Sequence, residues 1–283
     1  MSSSQLSTTE VIALANEELA ESSNGYRNSR RLQIVTFVIS IGSIFASNRY
    51  AYIGALGALV TQAWSWRMRL QAGRQQALGD EGRMRGLLID ALGSTTEHID
   101  LANLVQQVTP RARGRMAQSL DPDYFASKSP NGIRRLRDHL QENAFWGKCL
   151  YDAAAAKYTK FLIIFGIFAA IAAFIAIPFA PRGQSLTFAR VLVTALTFGA
   201  ALTQFNEISA WRSAKNKIEM VDRRLEALAG LSEKELQSRR IEALFAVFGD
   251  YCVATAMSPP IPKEVYLRER NRLNTLWRDR QKR

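Results

Sequence analysis

One stretch constrains this chain more than any other. Residues 161–180 read FLIIFGIFAAIAAFIAIPFA, with no charge and no strongly polar side chain. As a helix, such a stretch extends roughly 30 Å, the thickness of the hydrocarbon core of a bilayer. Buried helices of water-soluble domains are rarely so uniform in Phe, Ile and Ala. Three further windows, 32–47, 50–66 and 188–205, are shorter and mildly polar, and each alone would pass for a core helix. Their setting favours membrane spans. Tyr50, Tyr52, Trp64, Trp66, Tyr158 and Trp211 stand at segment ends, where interfacial aromatics belong, and Arg190 lies close enough to an end to snorkel outwards. Ser47-Asn48-Arg49 and residues 181–185 are tight connections, so the windows pair as two hairpins.

The net charge of +12 is distributed around these windows. Residues 1–31 carry three basic and four acidic groups, residues 67–160 fifteen and ten, and residues 206–283 sixteen and eleven. Only Arg49, Arg182 and Arg190 lie elsewhere. The basic excess on the long-loop side places both termini and the 67–160 region in the cytoplasm. The expectation is an all-α integral membrane protein with two transmembrane helical hairpins and a helical cytoplasmic body. Its parts are a cytoplasmic N-terminal helix (1–31), hairpin 1 (32–66), a cytoplasmic helical region (67–160), hairpin 2 (161–205) and a cytoplasmic helical tail (206–283). Localisation would be the bacterial inner membrane, multi-pass. No cleaved signal peptide is expected, because thirty-one residues precede the first window. Base spread over two regions, with no zinc finger, basic zipper or RNA-recognition signature, argues against DNA or RNA as a partner.

Polar side chains inside the windows fall on single helical faces. Gln33, Thr36, Ser40, Ser43 and Ser47 alternate in steps of three and four, as do Gly54, Ala58, Thr61 and Ser65, and Arg190, Thr194, Thr197, Ala201 and Gln204. Two readings stand side by side. Hydroxyl and small residues let membrane helices pack closely and hydrogen-bond, or they line a hydrated path in a homo-oligomer. No acidic residue lies inside a window, which argues against ion-coupled transport. Beyond the last window the same phase continues as Ile208, Trp211, Ile218 and Leu225, with Ala214, Val221 and Leu228 between. That implies one long helix facing protein throughout.

The remaining segments read as helices. Ser7-Thr8-Thr9-Glu10 and residues 232–235 are capping boxes. Residues 67–78, 81–92 and 95–108 are helical, and a helix from Ile133 runs into the third window. A later helix turns Ile241, Leu244, Phe245, Phe248, Tyr251 and Cys252 inward and ends at Pro259-Pro260-Ile261-Pro262. His139 is expected at the surface and Cys149 as a buried small residue.

Catalytic signatures are missing. Walker, Rossmann, nucleophile-elbow and His-Glu-x-x-His patterns do not occur, and two cysteines with two histidines make no metal site. No catalytic residue, cofactor or metal is therefore expected, and the chain does not read as an enzyme. Arg111, Arg113 and Arg115 precede Tyr124-Phe125, and Arg134, Arg135 and Arg137 follow it. Arginines near aromatics suit an anionic nucleotide; a basic surface beside anionic lipid heads is the plainer reading.

Residues 123–151 carry a resemblance. They read DYFAS, then a turn with Gly132, then RRLRDHLQENAFWGKCLY leading into a span. The sequence resembles the SMODS-associated four-transmembrane effectors, a family of pore-forming proteins of bacterial anti-phage loci that encode cyclic-oligonucleotide synthases. The matching positions are Tyr124, Phe125, Gly132, Leu136, Glu142, Phe145 and Trp146, while Asn143 and Gly147 depart from the pattern. The resemblance implies an inner-membrane effector that oligomerises and permeabilises the membrane when a cyclic oligonucleotide or a partner triggers it. The alternative is a membrane-anchored helical scaffold without a pore.

Overall fold

The computed structural model describes residues 6–45, 48–93, 101–121, 124–179 and 187–282. Over 172–179 and 187–198 it gives the helical course but not the side chains. The all-α class holds: among the described residues every regular element is helical. In chain order they are α1 (Thr8–Phe45), α2 (Asn48–Leu92), α3 (Leu101–Gln107), α4 (Pro110–Arg115), α5 (Ile133–Phe179), α6 (Thr187–Ala229), α7 (Glu233–Arg239), α8 (Ile241–Ala256) and α9 (Lys263–Gln281).

Local chemistry sets several boundaries. At α1 the Ser7 N–H donates to Glu10 Oε2 at 2.7 Å, and the Glu10 N–H donates back to Ser7 Oγ at 3.3 Å. The same reciprocal box joins Ser232 and Glu235 at α7. Thr109 caps α4, with Pro110 in the first turn, where its missing N–H costs nothing. Gly93 has φ +79°, the left-handed conformation that ends α2. The break expected between 78 and 81 is absent, and α2 continues through it. Gly79, Gly82 and Gly86 share a face of α2 laid against α1. A Cβ on Gly79 would come within 2.6 Å of Leu19, on Gly82 within 3.0 Å of Ala15, and on Gly86 within 2.6 Å of Ile12. These glycines allow close helix approach rather than ending a helix.

The chain divides into two compact units, both drawing on the four long helices. Unit 1 comprises Met1–Ser23, Gly73–Ala153 and Ala210–Arg283. Unit 2 comprises Asn24–Ala72 and Ala154–Ser209.

Unit 1 has an apolar core of ordinary type. The α6 face expected from the sequence is buried from Trp211 through Ala214, Ile218, Val221 and Leu225 to Leu228, as are Leu136, Leu140, Ala144 and Tyr151 of α5. Val11, Leu14, Leu104, Val108 and Ala112 join α1 to α3 and α4. The inward face of α8 is rotated from the expected one: Leu244, Val247, Tyr251 and Ala254 are buried, whereas Phe245 is exposed. His139 is not at the surface but fully buried, and Cys149 is only half-buried.

Unit 2 is built the other way round. Its buried described side chains are polar or small: Ser29, Arg30, Gln33, Thr36, Ser40, Ser43, Gln62, Ser65 and Glu207, with Ala51, Ala55, Ala58, Ala72, Ala154 and Ala155. Only Ile208 is both large and apolar. Many of its exposed side chains are large and apolar, among them Val38 (62%), Ile53 (66%), Leu56 (62%), Trp64 and Phe168 (65%), while Arg27, Arg31, Arg67 and Lys160 are exposed as well. Among the described residues no helix is long and apolar enough to cross a membrane. Half of the span expected at 161–180 and most of that at 188–205 fall on side chains outside the described residues, and the 181–185 connection lies outside them altogether.

Candidate functional site

The interior of unit 2 centres on one carboxylate. Glu207, on α6 and 3% exposed, lies between two arginines. Arg30 Nε of α1 donates to Glu207 Oε2 at 3.0 Å, and Arg69 Nη1 of α2 donates to Glu207 Oε1. Arg30 Nη1 donates to the Tyr158 hydroxyl of α5 at 2.6 Å, and its guanidinium stands 4.2 Å from the Tyr158 ring centre. The Arg69 guanidinium lies 5.3 Å from the Tyr26 ring. All four long helices thus meet in one ionic cluster. Glu207 balances one of the two positive charges. Sequence reasoning did not single it out. It lies just outside the last apolar window, and its only signal is that it follows Gln204 by three residues on the same face.

From this cluster the polar seam runs along α1 and α2. Ser29 and Ser65 hydroxyls are 2.8 Å apart, as are those of Thr36 and Thr61. Gln204 Nε2 donates to Gln33 Oε1 at 2.6 Å. Ser40 and Ser43 are buried, and Ser43 Oγ donates to the Ser40 carbonyl. Gly54 admits Ser43 so closely that a Cβ there would sit 2.7 Å from the serine Cβ. Thr36, Ser40, Ser43, Thr61 and Gln204 therefore share one interior. Thr194 and Thr197 lie on α6 with side chains outside the described residues. The seam is not fully satisfied: both polar atoms of Gln62, the Ser40 hydroxyl and Gln33 Nε2 are buried without a protein hydrogen-bond partner.

Beside the cluster, and within unit 2, is a cavity of about 230 Å³. Its lining includes the cations Arg27, Arg30, Arg31 and Lys157 as well as the apolar Ile34, Phe161, Leu162 and Phe165. Among the described residues no acidic side chain lines it.

In unit 1 the segment that carries the family resemblance is a tether. Phe125 is buried with its ring 4.0 Å from that of His139, nearly parallel, and Tyr124 meets Phe125 edge-on at 4.9 Å. Glu142 Oε2 accepts the Ala126 N–H at 3.1 Å; burial pushes its carboxyl up, and that bond partly offsets the rise. Ser127 and Ser129 hydroxyls donate to Asp138 Oδ2. Two carboxylates one helical turn apart on α5 thereby hold the loop from 124 to 131. Phe145 and Trp146 point to α9, with ring centres 5.4 Å from Trp277 and 6.1 Å from Tyr266. Buried Asp222 accepts from Lys148 at 2.5 Å and from Arg280 at 3.0 Å, fixing the same helix.

The arginines expected to gather around a nucleotide are mostly engaged by the protein. Arg113 donates to the Gln106 carbonyl, Arg115 pairs with Glu21 at 2.7 Å, and Arg135 binds Asp90 and the Ser129 carbonyl. Buried Arg137 donates to the Ala229 carbonyl at 3.1 Å, at the C-terminal end of α6. Arg111 and Arg134 are exposed. Asp90 also bonds His139 Nε2 at 2.6 Å. Burial raises the Asp90 carboxyl, but His139 and Arg135 outweigh it and hold the group below the usual carboxylate range.

Deeper in unit 1, Arg83 lies 3.5 Å from both Asp80 Oδ1 and the Tyr251 hydroxyl. Burial raises Asp80 and lifts the Tyr251 phenol to about 12. It also lifts the Cys252 thiol to about 11, which leaves that sulfur a poor nucleophile. Among the described residues no group of three or more His, Cys, Asp or Glu side chains could hold a metal ion.

Fold and site together define a class: a helical protein with one unit of ordinary polarity and one of inverted polarity. Comparison of the chain with protein-family models, with curated proteins and with solved structures finds no match.

Proposed function

We propose that the chain is a multi-pass integral protein of the bacterial inner membrane, with unit 2 in the bilayer and both termini in the cytoplasm. The observation that carries this reading is the inverted polarity of unit 2. A bundle in water would bury Val38, Ile53, Leu56 and Phe168, each worth about 1.5–3 kcal/mol on leaving water. Here those side chains face out, while serine, threonine, glutamine and an ion cluster face in. Lipid is the solvent for which that arrangement is favourable.

Within the membrane the chain acts as an effector that permeabilises the bilayer as a homo-oligomer when a cyclic oligonucleotide or a partner protein engages the cytoplasmic helices. The resemblance over 123–151 supports the effector class. The unsatisfied atoms of Gln62, Ser40 and Gln33 support permeation, since a buried polar atom without a partner costs about 1–3 kcal/mol and is relieved by hydration. The second reading, a membrane-anchored helical scaffold, is favoured by the Ser29–Ser65, Thr36–Thr61 and Gln33–Gln204 pairs, which close the seam within one chain. Dye release from liposomes holding the purified protein separates the two. Release on adding a panel of cyclic di- and trinucleotides is the expected result. Stable incorporation without release under every nucleotide leaves the scaffold.

A further inference from the structure

Glu207 is the sole acidic residue in the sequence of unit 2, against ten arginines and lysines. Both oxygens of its carboxylate are already engaged, Oε2 by Arg30 Nε and Oε1 by Arg69 Nη1. Arg69 commits only that one nitrogen to it. Its Nε and Nη2, the two nitrogens of the lateral guanidinium fork, are buried without a protein hydrogen-bond partner. Gln33 Nε2 and Gln62 Nε2 are in the same state along the seam, as are Gln62 Oε1 and the Ser40 hydroxyl. The hydroxyl pairs Ser29–Ser65 and Thr36–Thr61 bracket both glutamines, since Gln33 lies between Ser29 and Thr36 on α1, and Gln62 between Thr61 and Ser65 on α2. Among the described residues, nitrogen donors predominate over oxygens in this unpartnered set, and none of its atoms belongs to a carboxylate.

Such groups discriminate between ions by the sign of their charge. A cation that sheds water needs oxygen ligands in its place, from carbonyls or carboxylates, whereas arginine and lysine line pores that pass anions. The one carboxylate here is shielded, because two guanidiniums donate to it. The Arg69 fork has the geometry that holds an anion through paired, charge-assisted hydrogen bonds. We propose that the path along this seam conducts small inorganic anions, chloride among them, and excludes potassium and sodium. The proposal rests on the permeation reading and adds to it the class of ion that passes. Arg69 presents its fork at the cytoplasmic end, where residues 30, 69 and 207 abut the apolar windows. The amides of Gln33 and Gln62 supply N–H groups one to two helical turns further in.

Planar-bilayer recording of the full chain tests the proposal, with a tenfold gradient of potassium chloride and the panel of cyclic di- and trinucleotides as trigger. The reversal potential should lie towards the chloride equilibrium value, with chloride preferred over potassium at least fivefold. Glu207→Gln, which removes the acid, should raise that preference, and Arg69→Gln should lower it at least threefold. Arg69→Lys, which keeps the charge and loses the fork, should fall between wild type and Arg69→Gln. A merely structural role for either residue would change the amount of current but not the reversal potential. Wild-type current that favours potassium, or that shows no preference, overturns the proposal and leaves permeation standing. An Arg69→Gln preference equal to that of wild type overturns it as well. No current under any nucleotide, from protein that floats with the liposomes, removes the permeation reading and the proposal with it.

Discussion

Replacing Glu207 with Ala removes the carboxylate between buried Arg30 and half-buried Arg69. Arg30 Nε lies 3.0 Å from Glu207 Oε2, and Arg69 bonds the other oxygen. At an effective dielectric near 20, unit charges about 3–4 Å apart attract by roughly 4–5 kcal/mol. Desolvation of three charges offsets much of that attraction in the intact cluster. Breaking the cluster is the costly change, because both guanidiniums then lose the carboxylate they share. Breaking buried pairs of this kind costs about 3–5 kcal/mol. With roughly 2–4 °C of Tm per kcal/mol for a chain of this size, Glu207→Ala should melt about 6–20 °C lower. The assay is thermal unfolding by circular dichroism in neutral detergent. A Glu207→Met/Arg30→Met double variant should recover part of the loss, since hydrophobic replacement of a buried pair is close to neutral. A fall below about 2 °C for the single variant, well under the range expected from a broken buried pair, would refute the reasoning. So would a double variant less stable than the single one.

Gln62→Leu removes two buried polar atoms without partners and keeps the side-chain volume, so melting should rise by the equivalent of about 1–3 kcal/mol while dye release falls; a destabilised variant would mean that the amide is satisfied in the membrane. Gly86→Ala and Gly249→Ala should move stability in opposite directions. The first drives a Cβ to 2.6 Å from Ile12 and should cost about 1–3 kcal/mol of overpacking, whereas the second meets nothing within 4 Å and should gain about 0.5–1 kcal/mol of helix propensity. Chemical denaturation of both reads the signs. Asp90 has a folded pKa below its ordinary 3.8, so its stabilisation is complete above that value and is lost as pH falls through the depressed one. Asp90→Asn should therefore lower stability at neutral pH and flatten the acid limb of a stability–pH profile, and an unchanged limb would remove His139 and Arg135 as its partners.

Much of this architecture was legible in the sequence because helical phase is a physical constraint. The face from Ile208 to Leu228 is buried as its spacing of three and four requires, and the serine and threonine faces of α1 and α2 meet each other. Both capping boxes were legible because each is complete within four residues. What escaped was everything set by a partner distant in sequence. Gly79 looks like a helix end until Leu19 is laid against it. His139 reads as a surface residue until Phe125 stacks on it and Asp90 binds it. Phe245 looks like core, but α8 turns Val247 inward instead. Glu207 has no local mark at all, since its role exists only where Arg30 and Arg69 converge. The arginines around Tyr124 show the opposite failure: proximity in sequence suggested a ligand site, whereas Arg135 and Arg137 are held by Asp90, Asp138 and a helix end.

The placement of unit 2 in lipid is tested most directly by fractionating cells that express the full chain, washing the membranes in alkaline carbonate, and floating them on a density gradient. The account predicts that the chain stays with the floated membranes and that maleimide labels Ile53→Cys and Leu56→Cys only after detergent is added. Release into the carbonate wash, or labelling of both cysteines in intact membranes, would contradict it.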